Sequence, residues 1–179
     1  MAAEELNLDD PLGSFAGTWQ RVVLEPRPFF AALPHAGGLQ APLVFAAISL
    51  FLGGIGVLVF GGGLRGLVAL LALGVLRLFV AAAIIVLVGR NLFDGKGDYE
   101  STFRAISYST AIVVFIGIPI VKYVAALYGC YLTILAIERA QTIDAVRATL
   151  TFAATAITGF VLAYALGLWP RLATLNPLL

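Results

Sequence analysis

Charge is scarce in this sequence: of 179 residues, 12% are charged and 61% are hydrophobic. A soluble domain carries about 25% charge and roughly 45–50% apolar residues, so a water-soluble fold of this length has no place to hide the excess, and lipid is its natural solvent. Histidine and cysteine occur once each. The histidine, His35, stands beside Pro34 outside the apolar runs, which excludes paired-histidine haem ligation, histidine-rich metal sites and an intramembrane serine–histidine protease. The lone Cys130 excludes an intrachain disulfide. No acid interrupts the long apolar runs, so a carboxylate proton relay or ion site in the hydrocarbon is excluded. A phosphate-cradling GxxxxGK[ST] loop is missing too. With a net charge of +1, nothing calls for nucleic acid. The start of the chain is acidic rather than basic-then-apolar, unlike a signal peptide. We therefore expect no catalysis, no cofactor and no metal.

What is present is a series of apolar runs. Residues 1–13 read as a disordered acidic tail with Glu4, Glu5, Asp9 and Asp10. Over 14–34, Phe15, Trp19, Val22 and Val23 recur at helical spacing, and Pro26-Arg27-Pro28 must break the helix. The expectation is two amphipathic pieces lying at a membrane interface, with Trp19 at headgroup depth; the alternative is a helix packed on a partner protein. A span needs about 20 apolar residues. Residues 41–60, 65–89, 102–118, 120–137 and 146–168 supply five candidates, with Gly61-Gly62-Gly63 as the first turn. The expected fold is therefore all-α, a polytopic bundle of five transmembrane helices over 41–168, followed by a short tail, 169–179, in which Trp169 marks the far interface. The third and fourth spans are short. Only 14 residues lie between Arg104 and Pro119, about 21 Å of helix, and a re-entrant hairpin is the alternative.

Basic residues near span ends set the orientation. One side carries Arg21, Arg27, Arg90, Lys96, Arg104, Arg139 and Arg147; the other carries Arg65, Lys122 and Arg171. This predicts a cytoplasmic N-terminus and a C-terminus on the opposite side. All ten acids fall on the N-terminal side. Asp98 and Glu100 precede the third span, where a helix dipole favours acids. The loop Asp94, Lys96, Asp98, Glu100 loosely suggests a cation site, but Tyr99 stands where a calcium loop needs glycine, and a turn with a helix cap is the plainer reading.

Within the spans, Thr151, Thr155, Gly159, Ala163 and Gly167 repeat every fourth residue, a small-residue strip suited to close helix packing or self-association. Arg77 is the most informative residue. It lies 12 residues from Arg65 and 13 from Arg90, near mid-span, where an arginine costs about 2.5–3.5 kcal/mol on the insertion scale. A guanidinium keeps its charge, and no acid shares its depth. Its donors need carbonyls, hydroxyls, water or an outside anion. A polar pocket of Arg77 with Tyr108, Tyr128 and Tyr131 is one expectation; an arginine that snorkels or locks to carbonyls is the plainer one. Arg104 opens the third span and reads as an interfacial anchor, a headgroup contact or a partner of the 90–100 loop.

The run Thr102-Phe103-Arg104-Ala105-Ile106-Ser107-Tyr108-Ser109, then Ile118-Pro119, the stretch Tyr128 to Ile137, and Ala145-Val146-Arg147-Ala148 resemble the Yip domain family of Rab-interacting membrane proteins, in its bacterial form. Thr18-Trp19 and Pro28-Phe29-Phe30 resemble the family's leading amphipathic segment. The resemblance implies five spans, a cytoplasmic N-terminus and no catalysis. Trafficking members carry an Asp-Leu-Tyr-Gly-Pro motif, for which Asn91-Leu92-Phe93-Asp94-Gly95 is no match, so GTPase binding is not carried over. The resulting expectation is a non-enzymatic scaffold in the bacterial cytoplasmic membrane that organises lipids, a membrane-protein partner or copies of itself. The alternatives are a lipid or small-solute translocator built around Arg77 and an accessory subunit of a larger membrane complex.

Overall fold

A computed structural model describes residues 5–165, and among these the chain is helix and turn. Two short helices, α1 (Pro11–Leu24) and α2 (Pro26–Ala32), precede the bundle. Asp10 caps α1 by accepting from the Gly13 N–H at 3.0 Å. The proline pair separates the two: Glu25 leaves helical geometry and Pro26 opens α2, where its missing N–H costs nothing.

The bundle proper consists of α3 (Gln40–Val57), α4 (Gly63–Phe93), α5 (Tyr99–Ser109) continued by a 3₁₀ turn (Thr110–Phe115), α6 (Val121–Gln141) and α7 (Ala145–Ala165). Among the described residues three helical stretches are long and apolar enough to cross a membrane: Gln40–Phe93, Val121–Gln141 and Ala145–Ala165. The first is broken at 58–62, where Gly61 and Gly63 take φ of +109° and +61°, values that glycine alone adopts freely. The chain therefore folds back on itself, and Gly54 faces Leu67 while Gly74 faces Leu50, the register of an antiparallel pair.

The α5 segment differs from the others, since every residue from Ser101 to Ser109 is buried. It is a central strut rather than a lipid-facing span. The helix and its 3₁₀ continuation extend about 16 Å and 12 Å respectively, so the tighter winding lengthens a segment whose α-helix alone would be short. At its far end a β-carbon on Gly117 would strike the Gly56–Val57 backbone. A turn then leads into α6 through Ile120, which takes φ +70°, ψ −53° as the Val121 N–H reaches back to the Pro119 carbonyl at 2.8 Å. This is a γ-turn of the rare, strained hand. Thr142, in a left-handed conformation, ends α6.

The front of the chain packs on its own bundle. Phe15, Val22, Phe29, Phe30 and Leu33 belong to the main hydrophobic core with Phe45, Phe103, Tyr108 and Leu132. Phe15 meets the Phe45 ring at 5.1 Å, and Phe29 meets Tyr108 at 5.2 Å. The expected disordered tail needs correction over residues 5–13. Leu6 is 4% exposed and joins the core, and α1 already begins at Pro11, because an apolar anchor and an ion pair hold the acidic stretch down.

Candidate functional site

Two arginines stand apart from the other basic residues, one buried at an end of the bundle and one exposed midway along α4. Arg104 lies on the wholly buried face of α5 and is 1% exposed. Its Nε donates to the Pro34 carbonyl at 3.2 Å, one terminal nitrogen donates to the Gly38 carbonyl at 2.6 Å, and the other is paired with the Glu5 carboxylate. The loop it holds is gripped from the other side: the N–H groups of Gly37 and Gly38 both donate to Glu100 Oε1, at 2.8 and 2.7 Å. A β-carbon on Gly37 would sit 3.0 Å from the Arg104 guanidinium, so glycine there is a matter of room. Arg139 adds a bond to the Leu33 carbonyl at 3.2 Å. The N–H donors of Gly38 and Gly37 hold the Glu100 carboxyl below the usual range. Asp98 caps α5 by accepting from the Ser101 N–H at 2.7 Å, and that bond holds its carboxyl low. Together these contacts clamp tail, loop and strut into one piece.

Arg77 is the opposite case. It is exposed and lines an open-sided cavity of about 420 Å³ between α3, α4, α5, the 3₁₀ turn, α6 and α7. Among the described residues it makes no hydrogen bond and no ion pair. The remaining wall is largely apolar, with Ser109, Thr110, Thr133 and Cys130 as its other polar members. The three hydroxyls already donate to helix carbonyls, at 2.7 Å for Ser109, 2.6 Å for Thr110 and 2.8 Å for Thr133. They present lone pairs to the cavity, and the guanidinium is its one strong donor.

Residues 21–166 match the Yip1 domain. The chain belongs to the Yip1 domain family. No curated protein matches it, and no solved structure does.

In this Yip1 domain the four residues expected to share a polar pocket are not brought together. Tyr128 donates to the Val23 carbonyl of α1 at 2.7 Å, and Tyr131 accepts from Arg27 Nε at 3.4 Å. Tyr108 is buried between Phe29 and Phe45. All three serve the docking of α1 and α2, leaving Arg77 with the hydroxyls of α5, the 3₁₀ turn and α6. Arg104 is not the anchor its place at a span start suggests: its partners are carbonyls of the 33–39 loop and Glu5, and Glu100 contacts that loop rather than Arg104 directly. Trp19 donates from Nε1 to the Ala111 carbonyl at 2.8 Å and meets Phe115 edge-on; it is a packing residue between α1 and the 3₁₀ turn. On α7, Thr151 is fully buried, whereas nothing lies within 4 Å of where a Gly159 β-carbon would stand. Thr155 and Ala163 are half-buried, and Gly167 and Trp169 lie outside the described residues.

Glu5, Gly37, Gly38 and Glu100 are the clamp residues that sequence reasoning missed. The signal available for them was the Gly37-Gly38 pair between Pro34 and Pro42, together with an acid at the start of a helix.

Proposed function

We propose that this chain is a non-enzymatic, membrane-organising scaffold of the Yip type, with its N-terminal face toward the cytoplasm of a bacterial cell. The observation that carries this reading is the docked helical hairpin α1–α2. Its aromatic face is spent on the chain's own bundle, while Arg27 and Glu25 stay outside that core and a groove beside α2 is edged by Arg27, Glu138 and Arg139. Such a fixed, mixed-charge face suits lipid headgroups or the polar end of a membrane-protein partner. Family membership supports a membrane protein without catalysis.

Site-specific photo-crosslinking from positions 20 and 27 in intact cells tests it. The expected result is adducts to another membrane protein or to anionic lipid. Rapid movement of a fluorescent phospholipid across vesicles containing the purified protein, with no adducts, would favour the translocator instead. Maleimide labelling of a cysteine placed at 96 tests orientation; labelling from outside intact cells would reverse it. An accessory-subunit role has one supporting observation, the open α7 face at Gly159, and crosslinks from that face to a different protein would establish it.

A further inference from the structure

We infer that the cavity beside Arg77 is a binding site for a single-chain anionic amphiphile, a fatty-acid carboxylate held by the guanidinium with its hydrocarbon along the apolar wall. The inference goes beyond the scaffold reading and does not depend on it.

Charge demands an anion there. All five N–H donors of a guanidinium are available at Arg77, since it has no partner among the described residues, and no carboxylate lines the cavity. The hydroxyls nearby have their protons committed to the Ile106, Ser107 and Gly129 carbonyls, so they cannot share the load of binding an anion. A carboxylate matches the planar fork with two parallel bonds, and the cation in turn keeps the acid ionised at a depth where it would otherwise be neutral.

Volume sets the number of chains. The cavity measures about 420 Å³. A methylene needs about the room of a liquid water, ~30 Å³, so the space takes roughly fourteen heavy atoms, most of one acyl chain with its end leaving by the open side, and not two chains. The wall fits such a chain: Leu50 of α3, Leu73 and Ile85 of α4, Ile112 of the 3₁₀ turn and Phe152 of α7 line it.

The test is photo-crosslinking of the full chain in phosphatidylcholine nanodiscs with a palmitate analogue carrying a mid-chain diazirine, mapped by mass spectrometry. Adducts are expected on buried cavity residues, Ile85 and Ile106 among them. Unlabelled palmitate should compete them away, while hexadecanol and phosphatidylglycerol at equal concentration should not. Arg77→Leu should reduce the yield at least five-fold, and Arg77→Lys should keep most of it. Competition by hexadecanol equal to that of palmitate would show that the chain alone fills the space and overturn the site. Equal competition by phosphatidylglycerol would overturn the single-chain assignment. Adducts confined to the outer surface, or undiminished in Arg77→Leu, would overturn both. The competition arms use the wild-type chain, so they decide the matter even if Arg77→Leu fails to fold.

Discussion

Arg104 and Arg77 are the same side chain under opposite accounts. Arg104 is buried at one end of the bundle, and each of its three nitrogens has an acceptor. Arg77 stands midway along α4 in a cavity wall and has none among the described residues. A buried charge is tolerable only when paired and hydrogen-bonded, so the first is a structural fastener. The second keeps its donors free for something outside the chain. Position along the helix does not distinguish these roles; burial does, since Arg104 is 1% exposed and Arg77 is exposed, together with the supply of carbonyls and carboxylates nearby.

The comparison can be broken most forcefully at the clamp. Arg104→Leu leaves Glu5 and two loop carbonyls without their partner, and removing one member of a buried pair costs about 3–5 kcal/mol. Thermal unfolding in a nonionic detergent should show a large drop, with protease cutting near residue 37 at temperatures where the wild type resists.

Next in size is Gly117→Leu, which touches neither arginine but forces the 3₁₀ turn away from α3. Overpacking of this kind costs about 1–3 kcal/mol, measured by the same unfolding assay. It should also loosen the wall of the Arg77 cavity, seen as faster hydrogen exchange over 110–117 with little change at the clamp.

A smaller effect is expected from acid. Glu100 titrates below its ordinary value of 4.5 in the folded chain. Its contribution is therefore fully present above the unfolded value and is lost as pH falls through the lower, folded one. The protection of Gly37 and Gly38 from hydrogen exchange, relative to the free-peptide rate at the same pH, should fall below about pH 4. Glu100→Gln should remove most of that pH dependence. An unchanged profile in the variant would assign the effect to another group.

The smallest effect on stability belongs to Arg77→Leu. No hydrogen bond or ion pair among the described residues is lost, so the melting temperature in ligand-free detergent should hold or rise slightly, as an apolar side chain replaces a charge that is costly at that depth.

Much of this architecture was legible in the sequence because it rests on local signals. Gly61 to Gly63 mark the fold-back between α3 and α4, Pro119 marks the turn before α6, and Asp98 marks the cap of α5. Apolar run lengths identify the helices, and the mid-span position of Arg77 was plain from residue counting. What stayed hidden depends on contacts far apart in the chain. Glu5 and Arg104 are 99 residues apart, and no periodicity joins an acidic tail to a buried strut. Tyr128 and Tyr131 sit at a depth that suggests a pocket with Arg77, yet the docking of α1 and α2 claims them instead. That docking was not foreseeable from amphipathicity, which states that a face seeks cover but not whether lipid or protein supplies it.

The most direct test of the contrast is to unfold Arg104→Leu and Arg77→Leu side by side in one lipid-free nonionic detergent. A drop of many degrees for Arg104→Leu, with Arg77→Leu at or above the wild-type midpoint, is the predicted result. An Arg77→Leu midpoint falling as far as that of Arg104→Leu would mean that the mid-bundle arginine is also a fastener, and would contradict the account.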